Sequence, residues 1–274
     1  MKAKEILFLL GMKPRARKFG YEFRSFYSPV FGEIKYAQWM HPKTYKMECN
    51  ERELSRLSEL VQPGDVVIDV GAHAGDSTLP LALACGTDGC VLAFEPNTFV
   101  YPVLEANSKL NTDKTNIIPL NVAATEEDCE LEFEYSDPGF CNGGRHKGIS
   151  RWRHGHAFNQ KVQGRNLDRL LEQDHSECRG RVSYIKTDAE GYDLSVLKSL
   201  EGTIKECRPY VQSEIYKLMA PEERHGVVDL MHSLDYRITF HDPAVAGFGD
   251  GQEIGHDNIE SWPNYDVFCQ PLAA

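Results

Sequence analysis

Three short stretches and one further acid hold the residue types that could do chemistry. Asp69-Val70-Gly71-Ala72-His73-Ala74-Gly75 follows a β-branched apolar run, and its glycines suit a strand-to-helix turn that brings backbone close to a ligand. The helix after it would begin near Ser77 and Thr78 and would offer free N–H groups to an anion. Glu95-Pro96 ends the next apolar run, where a carboxylate can accept from both hydroxyls of a ribose. Asp188-Ala189-Glu190-Gly191 closes a later run and Glu214 closes the one after it. Carboxylates gathered there can serve as general base, orient an acceptor or ligate a hard divalent cation. If the strand persists, alternation sends Asp188 and Glu190 to one side. The plainer alternative is that one of them caps the following helix, with Gly191 making the turn.

The dinucleotide fingerprint GxGxxG is absent, since the loop reads Gly-Ala-His-Ala-Gly. Two glycines followed by an acid at the second strand tip suit a nucleoside without a pyrophosphate. S-adenosylmethionine, with a carboxylate, a sulfonium and a ribose, fits. His73 is read as a loop residue offering its backbone, facing the cofactor and not an acceptor. Two rivals stand beside this reading: a nicotinamide-dependent oxidoreductase, and a protein that binds S-adenosylmethionine without turnover.

Positioning these residues requires an α/β chain, and the sequence alternates accordingly. Asn50 precedes a helix with leucines at 54, 57 and 60, and Pro63-Gly64 stops it. Strands are expected at Val66–Val70, Val91–Phe94, Ile117–Val122, Glu130–Tyr135, Val182–Thr187 and Tyr210–Glu214. Pro102 suits the first turn of a helix reaching about Leu110, and helices follow at Leu194–Ile204 and from Pro221. Tyr236–Phe240 and Tyr265–Cys269, with no helix between them, predict an antiparallel hairpin at the sheet edge.

Length and composition fit one large domain, residues 49–274, with an N-terminal extension over 1–48. Apolar residues form 41% and charged residues 26% of the chain, and the formal charge of -11 argues against general nucleic-acid or acidic-membrane affinity. Eight cysteines lie scattered without CxxC or zinc spacing, which favours reduced thiols in a cytoplasmic protein. Cys90 and Cys269 fall in runs that read as buried strands. Ile6–Leu10 is too short for a membrane span and reads as a short amphipathic helix or capping segment. The extension also interleaves lysines and arginines with Tyr21, Phe23, Phe26, Tyr27, Tyr36 and Trp39, which predicts a cap over the pocket or an oligomer contact. Residues 136–165 read as a flexible lid or acceptor loop. From Pro138 on, this stretch holds Arg145, Lys147, Arg151, Arg153, Lys161 and Arg165 and no acid. Such a patch suits a small-molecule or glycan acceptor carrying a phosphate or carboxylate. His154 and His156 could supply a base or a metal site; no metal site is expected, although a divalent cation would be compatible with the acids.

Pro63–Gly75, Phe94-Glu95-Pro96-Asn97 and Ile185–Asp193 together resemble the FkbM family of methyltransferases, over about Glu51 to Pro271. The resemblance implies a Rossmann-like class I methyltransferase fold: a seven-stranded, mostly parallel sheet with an antiparallel last strand. It implies that Asp69 and the turn Gly71, Ala72, His73, Gly75 wrap the methionine moiety of S-adenosylmethionine, with Asp188 also at the donor site. Ser77 or Thr78 would help hold its carboxylate, Glu95 and Pro96 its ribose, and Asn121 or Val122-Ala123 would lie near adenine. The strand end Asp188-Ala189-Glu190-Gly191 lacks the Asn/Asp-Pro-Pro-aromatic motif of enzymes that methylate exocyclic base amines. Asp188, Glu190 and Glu214 therefore point to proton removal from a hydroxyl, hence O-methylation of sugars or natural products with no nucleic-acid partner.

Overall fold

The computed structural model describes residues 17–48, 50–135, 158–242 and 248–272. The expected segment at Ile6–Leu10, and Arg145 to His156 of the basic stretch, lie outside them.

The chain opens with an antiparallel hairpin, β1 (Tyr21–Ser28) and β2 (Gly32–Trp39), absent from the reading of the extension as an unspecified cap. One face of β2 packs Ile34 and Tyr36 on Leu54, Leu79 and Leu83, while Ala37 and Trp39 meet Ala74, Val100 and Val103. The hairpin is thereby sealed onto the helices that flank the glycine turn. Helix α1 (Glu51–Leu60) follows, with the Asn50 side chain accepting from the Arg52 and Glu53 amides as expected of a cap.

The central sheet then forms from β3 (Val66–Val70), β4 (Cys90–Phe94) and β5 (Ile117–Leu120). Helices α2 (Thr78–Cys85) and α3 (Tyr101–Ser108) connect them. All five residues of β3 and all five of β4 are buried, as strands covered on both faces must be. Next comes a side sheet of β6 (Ala123–Ala124), β7 (Cys129–Tyr135) and β8 (Phe158–Arg165), in the order β6-β8-β7. The expected lid is thus too long at its C-terminal end. Phe158–Arg165 pairs with β7, Lys161 with Glu130 at 2.7 Å and Arg165 with Asp128 at 3.3 Å. Acids on β7 and just before it thus partner basic residues that composition alone presented as a free basic loop.

Helix α4 (Leu167–Asp174) leads to β9 (Val182–Thr187), α5 (Asp193–Ser199), α6 (Glu201–Cys207) and β10 (Tyr210–Ile215). Helix α7 (Pro221–Ser233), β11 (Tyr236–His241) and β12 (Tyr265–Pro271) complete the fold. The seven-stranded order is β11-β12-β10-β9-β3-β4-β5, with β12 antiparallel to both neighbours and the rest parallel. Counted along the chain this is 3-2-1-4-5-7-6, the class I methyltransferase arrangement. The last two strands do pair antiparallel, but β12 slots between β10 and β11, so only β11 forms the edge. Cys269 is buried in β12 and Cys90 in β4, as expected. Among the described residues no helix is long and apolar enough to cross a membrane.

Candidate functional site

Strand order reverses between β3 and β9, and in open α/β sheets ligands bind outside the carboxyl ends at such a switch point. A cavity of about 870 Å³ opens there, within the roughly 300–1,000 Å³ range of ligand pockets. Gly71, His73, Ser77, Glu95, Pro96, Ala123, Asp188 and Glu190 all line it, so residues far apart in sequence do converge. Asp69, Ala72, Gly75, Thr78, Asn121 and Glu214 stand behind that surface. Asn121 contributes by donating from Nδ2 to the Glu95 carbonyl at 2.7 Å.

The glycines of the turn answer first to the protein itself. Gly71 has φ +82°, and a Cβ there would sit 2.0 Å from the Asp188 carbonyl oxygen; Gly75 has φ +94° and faces Leu104. Beside the expected backbone approach to a ligand, Gly71 lets the β3 and β9 ends meet, where the Asp188 amide donates to the Val70 carbonyl at 3.0 Å. His73 also takes positive φ, 49°, and its amide donates to Glu95 Oε2 at 2.9 Å while its ring meets Trp39 edge-on.

Glu95 is buried at the tip of β4, with Oε1 accepting from the Asn97 amide at 2.7 Å. Burial pushes its carboxyl up to about 7, against the pull of those two amides, with Asp188 and Asp69 adding to the rise. The carboxylate is held rigidly and still has lone pairs for a pair of vicinal hydroxyls.

Asp69 is fully buried, and its Oδ2 accepts from Ser77 Oγ at 3.0 Å and Thr78 Oγ1 at 2.6 Å. This narrows the expectation for Ser77 and Thr78 to their backbone N–H groups. Each hydroxyl has one hydrogen, and both are committed to Asp69, so neither can donate to a ligand carboxylate. Asp69 Oδ1 lacks a hydrogen bond, with the Lys186 ammonium 3.9 Å away. Lys186 also donates to Asp188 Oδ2 at 3.4 Å and lines the cavity. Burial works against its charge, but Asp188 and Asp69 outweigh it and hold its pKa above the ordinary value.

β9 ends at Thr187, and Glu190 adopts φ +52°, so strand alternation does not set its direction. The turn is held by Asp193, whose carboxylate accepts from the Ala189 and Gly191 amides at 3.1 and 3.2 Å. With Asp193 in that role, neither Asp188 nor Glu190 is spent as a cap. Asp188 is half-exposed into the cavity. The Tyr216 hydroxyl donates to Glu190, whose pKa is nevertheless raised by burial and by Asp188. Glu214 Oε1 accepts from Asn264 Nδ2 at 3.1 Å, Oε2 is buried without a partner, and burial with Asp188 lifts its pKa. Among the described residues no group of His, Cys, Asp or Glu is disposed to hold a metal.

Sequence reasoning passed over Lys186, Asp193 and Glu53, whereas Tyr36 and Lys43 to Glu48 belong to the extension expected as a cap or an oligomer contact, and they line the cavity. The signal for Lys186 was a lone cation inside an apolar parallel strand, in register with Asp69.

The donor set fits S-adenosylmethionine: a nucleoside-sized cavity, a fixed acid for a ribose, and no phosphate-binding turn. A family model for the FkbM methyltransferase domain matches residues 69–238. The solved FkbM methyltransferase of Methylobacillus flagellatus KT is similar over 78% of this chain and 50% of its own, with 16% identity and a TM-score of 0.43. This chain therefore spans about half the length of that protein. An S-adenosylmethionine-dependent O-methyltransferase from Thermotoga maritima is similar over 92% of this chain and 78% of its own, with 12% identity and a TM-score of 0.44. No curated protein matches the chain. The family match leaves no place for a nicotinamide oxidoreductase, and because it extends over more than half of the sequence, the chain belongs to the FkbM family of S-adenosylmethionine-dependent methyltransferases.

Proposed function

We propose that this methyltransferase acts on a hydroxyl of a sugar, glycan or natural product. The observation that carries this reading is the group of carboxylates where β9 ends: Asp188 and Glu190 on the cavity, with Glu214 behind them. S-adenosylmethionine, when bound, supplies a methyl group already activated by its sulfonium. What remains for the protein is binding, alignment and removal of one proton.

In this reading the Gly71–Gly75 turn and Glu95 hold the donor, and Val122-Ala123 flank its base. Asp188, tied to Lys186, orients the acceptor oxygen. Glu190 takes the proton, because a carboxylate whose pKa is raised is the better base. Glu214, closed off from the cavity, acts on both through its charge. The expected anionic acceptor rested largely on residues 136–157, which lie outside the described set. The described wall carries the acids Glu48, Glu53, Asp76 and Glu126 against the bases Lys43 and Lys46, a balance that suits a neutral polyhydroxylated acceptor.

The test is incubation of the purified chain with methyl-labelled donor and a panel of free sugars, glycosides and nucleotide sugars, followed by mass spectrometry. A base-stable methyl ether is expected. Label appearing only on nitrogen, or only on nucleic acid, would overturn the hydroxyl assignment.

A further inference from the structure

The amino-acid end of the donor presents a carboxylate and an ammonium, and the cavity must meet both. Among the hydroxyls and cations near the turn, Ser77 and Thr78 have given their hydrogens to Asp69, and Lys43 and Lys46 are exposed. Lys186 differs. Its side chain is only 16% exposed, it lines the cavity, and its ammonium carries three donors. One of these reaches Asp188 Oδ2 at 3.4 Å, and Asp69 Oδ1 lies beyond hydrogen-bond range at 3.9 Å. At least one N–H is therefore left for the cavity.

We infer that the Lys186 ammonium holds the carboxylate of the donor's methionine moiety. The inference rests on the assignment of this cavity to S-adenosylmethionine and adds one residue to it. The surplus of acids around Lys186 does not count against the carboxylate, because the incoming group arrives with an ammonium and a sulfonium. Asp69, fully buried in register with Lys186 on the neighbouring strand, keeps the ammonium charged and aimed. Lys186 is a binding residue here, and Asp69 a positioning one.

Two ligands separate this role from a structural one. S-adenosylhomocysteine carries the amino-acid group, whereas 5′-methylthioadenosine keeps the nucleoside and thioether without it. Calorimetry on the full chain is expected to show K186M weakening S-adenosylhomocysteine about tenfold or more, the loss of one charge-assisted bond. Methylthioadenosine binding should change less than about threefold, and K186R should recover part of the loss. Because K186M leaves Asp69 buried without its cation, the double variant D69N/K186M removes both charges and should give the same split. Equal weakening of both ligands, or of neither, overturns the assignment of Lys186. A wild-type chain that binds neither ligand overturns the cavity reading itself, and the inference with it.

Discussion

Replacing Glu95 by alanine tests the donor site most directly. Each Glu95 oxygen accepts one backbone amide, from His73 at 2.9 Å and from Asn97 at 2.7 Å. Each therefore keeps lone-pair capacity for one ribose hydroxyl. A hydrogen bond to a charged group contributes about 1.5–3 kcal/mol when its partner is removed, and water entering the vacated space recovers part of two such bonds. The net loss for E95A should be about 2 kcal/mol, which is about a thirtyfold weaker Kd for S-adenosylhomocysteine. Glutamine is no silent substitute. Its amide NH2 must face one of the two backbone donors, so E95Q should lie between wild type and E95A. Isothermal titration at fixed pH measures all three, with thermal unfolding of the free proteins as the control for folding. If folded E95A binds S-adenosylhomocysteine within about threefold of wild type, the ribose assignment is wrong.

The raised carboxyl of Glu95 gives two pH trends of opposite sign. Its contribution to stability is present below its unfolded value of 4.5 and is lost as pH rises through about 7. Ligand binding uses the ionised form, so S-adenosylhomocysteine affinity should fall as pH drops from 8 to 6, and E95Q should flatten that titration profile. Asp188→Asn should slow turnover more than it weakens binding; an unchanged rate in a saturating methyl-transfer assay would remove Asp188 from the chemistry. Asp193→Ala leaves the Ala189 and Gly191 amides without their acceptor and should cost about 2 kcal/mol in urea unfolding. Gly71→Ala combines φ +82° with a 2.0 Å collision against Asp188. It should cost about 3 kcal/mol or more, and a midpoint equal to wild type would refute the packing argument.

The parallel sheet was legible because continuous apolar runs of β-branched residues, punctuated by Pro63-Gly64, Gly71 and Pro96, admit few other interpretations. The convergence of Glu95 and Asp188 was equally legible, since both end such runs. The β1–β2 hairpin was not. Its buried face (Ile34, Tyr36) and its Ala37 and Trp39 are spent on partners in helices whose positions only the tertiary structure gives. Strand β8 was missed because it is polar along most of its length, with only Phe158 and Val162 apolar, and its pairing with β7 is visible only in the ladder. The hydroxyls of Ser77 and Thr78, beside the expected turn, are held by Asp69. Sequence shows a hydroxyl near a ligand loop; it does not show that a buried acid on the strand before the loop claims the hydrogen.

The close contact between Gly71 and the backbone of Asp188 makes the donor turn and the acceptor-side carboxylate parts of one rigid joint. An in-line displacement tolerates little misplacement, about a hundredfold in rate for an ångström, and a joint without an intervening side chain has no slack to misplace. Diversification toward new acceptors must then proceed through the outlying walls, such as Lys43 to Glu48 and the side sheet, while the hinge between giver and taker stays fixed.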